Sequence, residues 1–445
     1  METKVQPCRL MIPICRMNDL RKNVGSMQTL QKMALGIAGA AALGELQPVR
    51  EVFARQLRTI SPEKQPLAAM RTAYSLAPYI TYFNHGSIGT IPKIVLQAYQ
   101  QYLALCESNP HLYMWGEPWQ AAREVTRQKA ADYLGCDENE IAFTHNTTEG
   151  FNLLASGLPL QAGDEVVFSS MNHAGASICW QRYARQKGFT AKRFTFPLRE
   201  VPSLSEQDVV DIYAKNITAK TKVLVSPHID NLVGLRYPVR KMAEMARAKG
   251  VDYIAVDGAQ AVGMIPVSLH ELGVDFYATS PHKWLQAPKG TGLLYVRKEM
   301  HAMLEPMWVT WGQQRWHTSA RKYEDYGTRN LATVLALGDA IDWQHKLDSS
   351  GKQQRLQKLR AYFLQKTEAT PMCSWRSPRK WQQGCSLYTI ELQGEKSTEL
   401  SQRLYQIHGV VFRPFSGENW NTLRVSLNFY NTEAEIDRFF ALARL

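Results

Sequence analysis

The chain has 445 residues, 45% hydrophobic and 21% charged, with 52 Lys and Arg against 40 Asp and Glu for a net charge of +12. That length exceeds the roughly 250–300 residues at which one hydrophobic core stops growing, so two domains are expected, and the balanced composition excludes a disordered chain and a membrane bundle. The basic residues are spread among the acids rather than clustered. This argues against a nucleic-acid partner; the excess charge serves solubility and attracts anionic ligands.

The N-terminus comes first in chain order. Arg21, Lys22 and Lys32 precede a small, apolar run from Met33 to Leu43 that is too short to span a bilayer, which takes about 20 residues. The layout is that of a signal peptide, with Ala42-Leu43-Gly44 as a cleavage site. The Arg21-Lys22 pair resembles a degenerate twin-arginine signal, in which a lysine replaces the second arginine, and the alternative is an Ala/Gly-rich leader helix. Translation can also start at Met17 or Met27. The chain is therefore expected to be cytoplasmic, or periplasmic if residues 1–44 act as a signal. Residues 45–87 form an N-terminal segment.

From about residue 88 the pattern alternates. KIVLQAYQQYLALC and AAREVTRQKAADYLG have helical apolar spacing, and the second stops at Gly135. Short apolar runs follow at EIAFT, DEVVFSS, TKVLVSPH, VDYIAVDG, FYATS and GLLYV, most of them separated by helical stretches. This predicts an α/β fold, a mostly parallel sheet with helices on both faces over residues 88–335. Beyond residue 335 two helices, the strands CSLYTIEL and TLRVSLNFY and a closing helix predict a smaller C-terminal α/β domain, 336–445. Seven cysteines at irregular spacing, without a C-x-x-C, give neither a disulfide framework nor a metal site and are expected to be mostly buried thiols.

Ligands of open parallel sheets bind outside the carboxyl ends of the strands, so the polar residues just after the apolar runs matter most. VDYIAVDGAQ delivers Asp257 and Gln260, and FYATS delivers Ser280, His282 and Lys283. Taken singly, Asp257 also fits a turn or helix cap. Together, a carboxylate and a lysine from successive strand ends fit pyridoxal phosphate, which needs a lysine for its Schiff base and an acid against its pyridine nitrogen. Thr147 and Thr148, between EIAFT and a helix, offer a phosphate cup or a simple N-cap. His173 after DEVVF could stack on a ring or serve a turn, and Asn231 in SPHIDNLVG has the same two readings.

The order NTTEG, NH, HIDNLVG, VDGAQ, SPHKW, YGTRN and LRVSLNFYNTEAEID resembles the class V aminotransferase family of fold type I pyridoxal-phosphate enzymes. NHGS and GTRN look most like its isopenicillin-N-epimerase-like branch, with cysteine desulfurases as cousins. The resemblance spans residues 80–445. It implies Lys283 as the Schiff base, Asp257 on the pyridine nitrogen, Gln260 and Asn231 near the ring hydroxyl, and His173 stacked on the ring. Thr147, Thr148, Ser280 and His282 would hold the phosphate, with Thr328 contributed by a partner subunit, so a homodimer is expected. Lys289, in APKGTG, is the rival lysine; it precedes a strand.

Arg424 lies on the polar face of TLRVSLNFY, as a solvated side chain or, by resemblance, as the fork that grips an amino acid's carboxylate. Asn84 and His85, and more weakly Arg413, are candidates to line the pocket. A desulfurase needs a nucleophilic cysteine shortly before the substrate arginine, and GVVFRPFSGENWNTLR contains none. The expected function is a pyridoxal-phosphate enzyme acting on the amino group or α-carbon of an amino acid or peptide-like amine, epimerase-like. The alternatives are an aminotransferase, then a lyase or desulfurase, and last a non-catalytic binding homologue.

Overall fold

The computed structural model describes residues 47–59, 67–111, 117–347, 349–417 and 420–443. The leader, with its signal and cleavage site, lies outside the described residues. Strand β1 (Thr81–Tyr82) is followed by helices α1 (Lys93–Ser108) and α2 (Glu117–Leu134), the latter closed by Gly135 at φ 63°. Then come β2 (Ile141–Thr144), α3 (Thr147–Gly157), β3 (Glu165–Ser169), α4 (Ala174–Lys187), β4 (Thr190–Phe194), α5 (Glu206–Ala214), β5 (Thr221–Pro227), α6 (Val239–Ala248), β6 (Tyr253–Asp257), β7 (Phe276–Thr279) and β8 (Gly292–Val296).

These strands form a seven-stranded sheet in the order β2-β8-β7-β6-β5-β3-β4. Pairing is parallel from β7 to β4, and β8 runs antiparallel to both neighbours. The fold is therefore α/β with a mostly parallel sheet. Its strands other than the edge strand β4 are largely apolar because both faces are covered. Val223, Val225, Phe276, Ala278, Leu294 and Val296 point to the side of α3 and α4, where Phe151 and Trp180 are fully buried. The intervening Leu224, Tyr277, Leu293 and Tyr295 point to the opposite core. Each such aliphatic contributes about 1.5–3 kcal/mol by burial.

Strand β4 was not expected from the sequence. It is the edge strand, half exposed with Lys192 and Arg193 outward, so it lacks the apolar run that marks its neighbours. After β8, α7 (Leu331–Lys346) packs on α1 and α2, and α8 (Ser349–Glu368) leads to a four-stranded antiparallel sheet. That sheet is ordered β12 (Arg413–Gly417), β13 (Trp420–Ser426), β10 (Leu387–Leu392), β9 (Cys373–Trp375). Helices α9 (Ser397–His408) and α10 (Glu433–Ala443) complete this C-terminal part, whose core holds Phe363, Ile390, Leu423 and Phe439. Apolar alternation predicts TLRVSLNFY as strand to Tyr430, but the strand ends at Ser426, where Asn428 and Asn431 form a turn.

The N-terminal segment does not stand apart. β1 pairs in parallel with β11 (Val410–Val411), and Asn84 bridges to Ser426. Residues 84–89 are thereby laid across the C-terminal sheet toward the ends of β6 and β7. No helix among the described residues is long and apolar enough to cross a membrane.

Candidate active site

A cleft of about 520 Å³ opens where the carboxyl ends of β2, β3, β6 and β7 meet the C-terminal sheet. Thr147, Thr148, His173, Asn231, Asp257, Gln260, Ser280, His282, Lys283 and Arg424 all line it, together with Gly86, Ser87, Ile88, Arg413 and Phe415. Residues scattered over more than 330 positions are brought to one place by strand ends and by the crossing of segment 84–89.

Lys283 sits in a turn after β7. Its amide donates to Ser280 O at 3.0 Å, and Gln286, at φ 67°, reverses the chain while its side chain takes Tyr74 and Trp343 as donors. That left-handed backbone is costly for a non-glycine residue and is held by the two buried hydrogen bonds. Burial pulls the Lys283 amine down to about 8, Asp257 opposes this, and Arg424 adds to it. The rival Lys289 does not line the cleft; it donates to Gly89 O at 2.8 Å.

Asp257 ends β6. One oxygen accepts from the Ala259 amide at 3.0 Å, and the other has no protein partner among the described residues. Burial raises its pKa, against the Ala259 amide and the cations Lys283 and His173, so the carboxylate is under-compensated until a further cation arrives. His173 is the N-cap of α4, its Nδ1 accepting from the Gly175 amide at 3.1 Å, which leaves the proton of the neutral ring on Nε2. Desolvation lowers its pKa while Asp257 raises it.

Helix α3 points its N-terminus at the cleft. Asn146 caps it through Glu149 N, and Thr147 is tied through its amide and hydroxyl to Ser280 Oγ at 3.1 and 2.8 Å. The cap is thus Asn146 and neither threonine, which corrects the N-cap reading of the pair, while the Thr148 amide and hydroxyl have no protein partner among the described residues and are free to meet a ligand. His282 donates from Nδ1 to Thr291 O at 3.0 Å and keeps Nε2 as an acceptor. Helix-end donors, an under-compensated carboxylate and a lysine with a depressed pKa in one cleft are a donor set that fits a phosphorylated pyridine aldehyde.

Other residues carry second tasks. Gln260 gives its amide to Gly86 O and accepts from Trp284 Nε1, both at 2.8 Å, so it also fastens segment 84–89. Asn231 accepts through its backbone oxygen from Arg424. The loop it belongs to is built on Asp230, whose carboxylate takes three backbone amides. Asn84 does not line the cleft but accepts from Arg424 Nη2 at 3.2 Å. His85 is fully buried behind it, bonded to Ser426 O and Tyr430 OH, and does not reach the cleft. Thr328 is exposed and lies outside the cleft of its own chain. Sequence reasoning missed Ser87, which accepts from Arg424 at 2.6 Å, and Phe415; the closely spaced glycines of NHGSIG were the available signal for the first.

The sheet, the C-terminal part and this cleft define a fold type I pyridoxal-phosphate enzyme architecture. The chain belongs to the aminotransferase class-V family, which matches residues 81–439, and is a pyridoxal-phosphate-dependent enzyme. It is 30% identical over 395 residues to isopenicillin N epimerase of Amycolatopsis lactamdurans, covering 83% of this chain and 96% of that protein. The cysteine desulfurase CsdA of Escherichia coli is 27% identical over 379 residues, covering 80% and 91%. Among solved structures, a mutant of C-DES with glycine covalently linked to its PLP cofactor superposes with a TM-score of 0.75 at 21% identity, covering 84% of this chain and 98% of that one. The CsdA structure gives 0.73 at 24%, covering 85% and 97%.

Proposed function

We propose that the chain acts at the α-carbon of an amino acid or peptide-like amine, in the manner of an epimerase, and that the cofactor is held by the residues identified above. The observation that carries this is the convergence of Lys283, Asp257, His173 and Arg424 on one cleft. Bound pyridoxal 5'-phosphate supplies an electron sink that makes the α-proton acidic. Lys283 would hold the cofactor's aldehyde and, when free as an amine, would be the base for the α-proton, a role that a lysine amine lowered to about 8 by burial suits. Asp257 would keep the ring nitrogen protonated, and His173 would cover the ring. The Thr147–Thr148 helix end and Ser280 would take the phosphate, joined by His282 with its ring protonated so that Nε2 donates, and Thr328 would be supplied by a second copy in a homodimer. Arg424, fixed by Asn84, Ser87 and the Asn231 carbonyl, orients the substrate carboxylate.

Sulfur transfer is disfavoured on this chain's own residues. No cysteine stands between Gly409 and Arg424, and Cys385 is fully buried with its thiol pushed up to about 12. The division into a leader, a segment to residue 87, a cofactor domain to about 335 and a small domain beyond it belongs to the same proposal.

Incubation in heavy water with a panel of amino acids and peptide amines, without a keto-acid acceptor, tests the reaction type. An epimerase washes deuterium into the α-carbon while inverting it. Conversion of the cofactor to its pyridoxamine form by one equivalent of substrate, reversed by a keto acid, would replace epimerisation by transamination.

A further inference from the structure

We propose that Arg413 forms a second anion subsite, so that the substrate carries a negatively charged group besides the carboxylate that meets Arg424; this rests on the reading of the cleft as an amino-acid site. The register of β12 on β13 sets Arg413 directly opposite Arg424, and the pleat puts Phe415, two residues on, on the same face. The two guanidinium carbons lie 5.7 and 5.5 Å from the centre of the Phe415 ring, so one aromatic side chain braces both cations. All three line the cleft.

Like charges directly opposite on neighbouring strands destabilise a sheet, and a pair of arginines is ordinarily relieved by an acid. Here neither Arg413 nor Arg424 makes an ion pair among the described residues, and Asp230, whose charge acts favourably on Arg424, is held by three backbone amides of its own loop. Among the described residues Arg424 is buried, bonded only to neutral acceptors, and without a partner for its Nε. Arg413 is exposed, and its guanidinium makes no hydrogen bond to described residues. The one carboxylate lining the cleft among the described residues, Asp257, is committed to the ring nitrogen in the proposed function. A substrate α-carboxylate neutralises Arg424 and leaves Arg413 with a free planar fork, the geometry that takes a second carboxylate in bidentate fashion. That carboxylate can sit on the side chain of an amino acid or at the far end of a peptide-like amine.

Holoenzyme titrated with matched amines, followed by cofactor absorbance and by α-proton exchange, tests this. The pairs are glutamate against glutamine, and a γ-glutamyl dipeptide against its C-terminal amide; the first reports a side-chain carboxylate, the second a distal one. In at least one pair the anionic member should bind roughly tenfold tighter, a preference that weakens with salt, disappears in Arg413→Gln and is partly kept by Arg413→Lys. Arg413→Gln should also melt no lower than the parent chain, because it removes a repulsion. Equal affinity within both pairs, or a preference untouched by Arg413→Gln, would overturn the subsite while the absorbance changes leave the α-carbon reading intact. A melting temperature lowered by several degrees would make Arg413 a structural residue and overturn it too. No absorbance change with any amine would remove both readings.

Discussion

Two lysines six positions apart have opposite settings, and their substitution separates chemistry from support. Lys283→Ala should lower turnover by at least about 10³-fold with the fold retained, since it removes the base and the cofactor anchor together. Lys289→Ala removes one bond to Gly89 O and should cost less than about tenfold; equal losses would exchange the two roles. The Lys283 titration adds a pH test on apo protein. Only the neutral amine attacks an aldehyde, so cofactor capture, followed by stopped-flow absorbance, should rise with pH through about 8 and level off above it. Asp257 holds that pKa up, so Asp257→Asn should move the midpoint to lower pH and, in the reconstituted enzyme, lose most activity; an upward shift would contradict the assigned sign. Asp257 and Lys283 were legible because each follows a buried apolar run. Asn84 and His85 were not separable by sequence: they are neighbours, yet one bonds Arg424 and the other is buried on Tyr430, a difference set by the bridge to Ser426 some 340 residues away.

Elements hold these side chains through a few close approaches. A Cβ on Gly89 would lie 1.7 Å from Lys283 O, so only glycine lets segment 84–89 reach the lysine turn. Gly89→Ala should displace that segment, lower the Tm by several degrees and weaken cofactor retention; an unchanged Tm would mean the contact is dispensable. Glu324 locks the chain following β8 to β2, taking both Arg127 Nη atoms and the Phe143 amide in a buried network. Burial alone would raise its pKa, but Arg127, Arg329 and Arg123 outweigh this and hold it down to about 2. The sign follows: a carboxyl depressed in the folded state stabilises above its unfolded pKa, near 4.5, and that stability is lost as pH falls from there toward 2. Glu324→Gln should therefore cost about 3 kcal/mol near neutral pH and progressively less below pH 4.5, measured by urea denaturation at several pH values. Strands with apolar runs were readable from sequence. The charged edge strand β4 and the docking of β1 on β11 were not, since neither leaves a local periodicity.

At the scale of the whole molecule, the parallel sheet supplies the cleft's floor, and one chain leaves Thr328 outside its own cleft. Near it in sequence, Val309 and Trp311 are about nine-tenths exposed, apolar side chains that a monomer would have little reason to display together. If a second copy covers them and receives Thr328, the two chains share their sites, and complementation reports it. Lys283→Ala and Thr328→Val are each expected to be poor enzymes as homodimers. When both chains are co-expressed with different tags and the mixed dimer is isolated, one of its two clefts combines an intact Lys283 from one chain with an intact Thr328 from the other. That dimer should regain up to half of the parent activity, and sedimentation should give a species of about twice the 50.5 kDa chain. Activity in the mixed dimer no greater than the mean of the two parent variants would place Thr328 outside the partner's cleft, and a monomer carrying full activity would remove the shared site altogether.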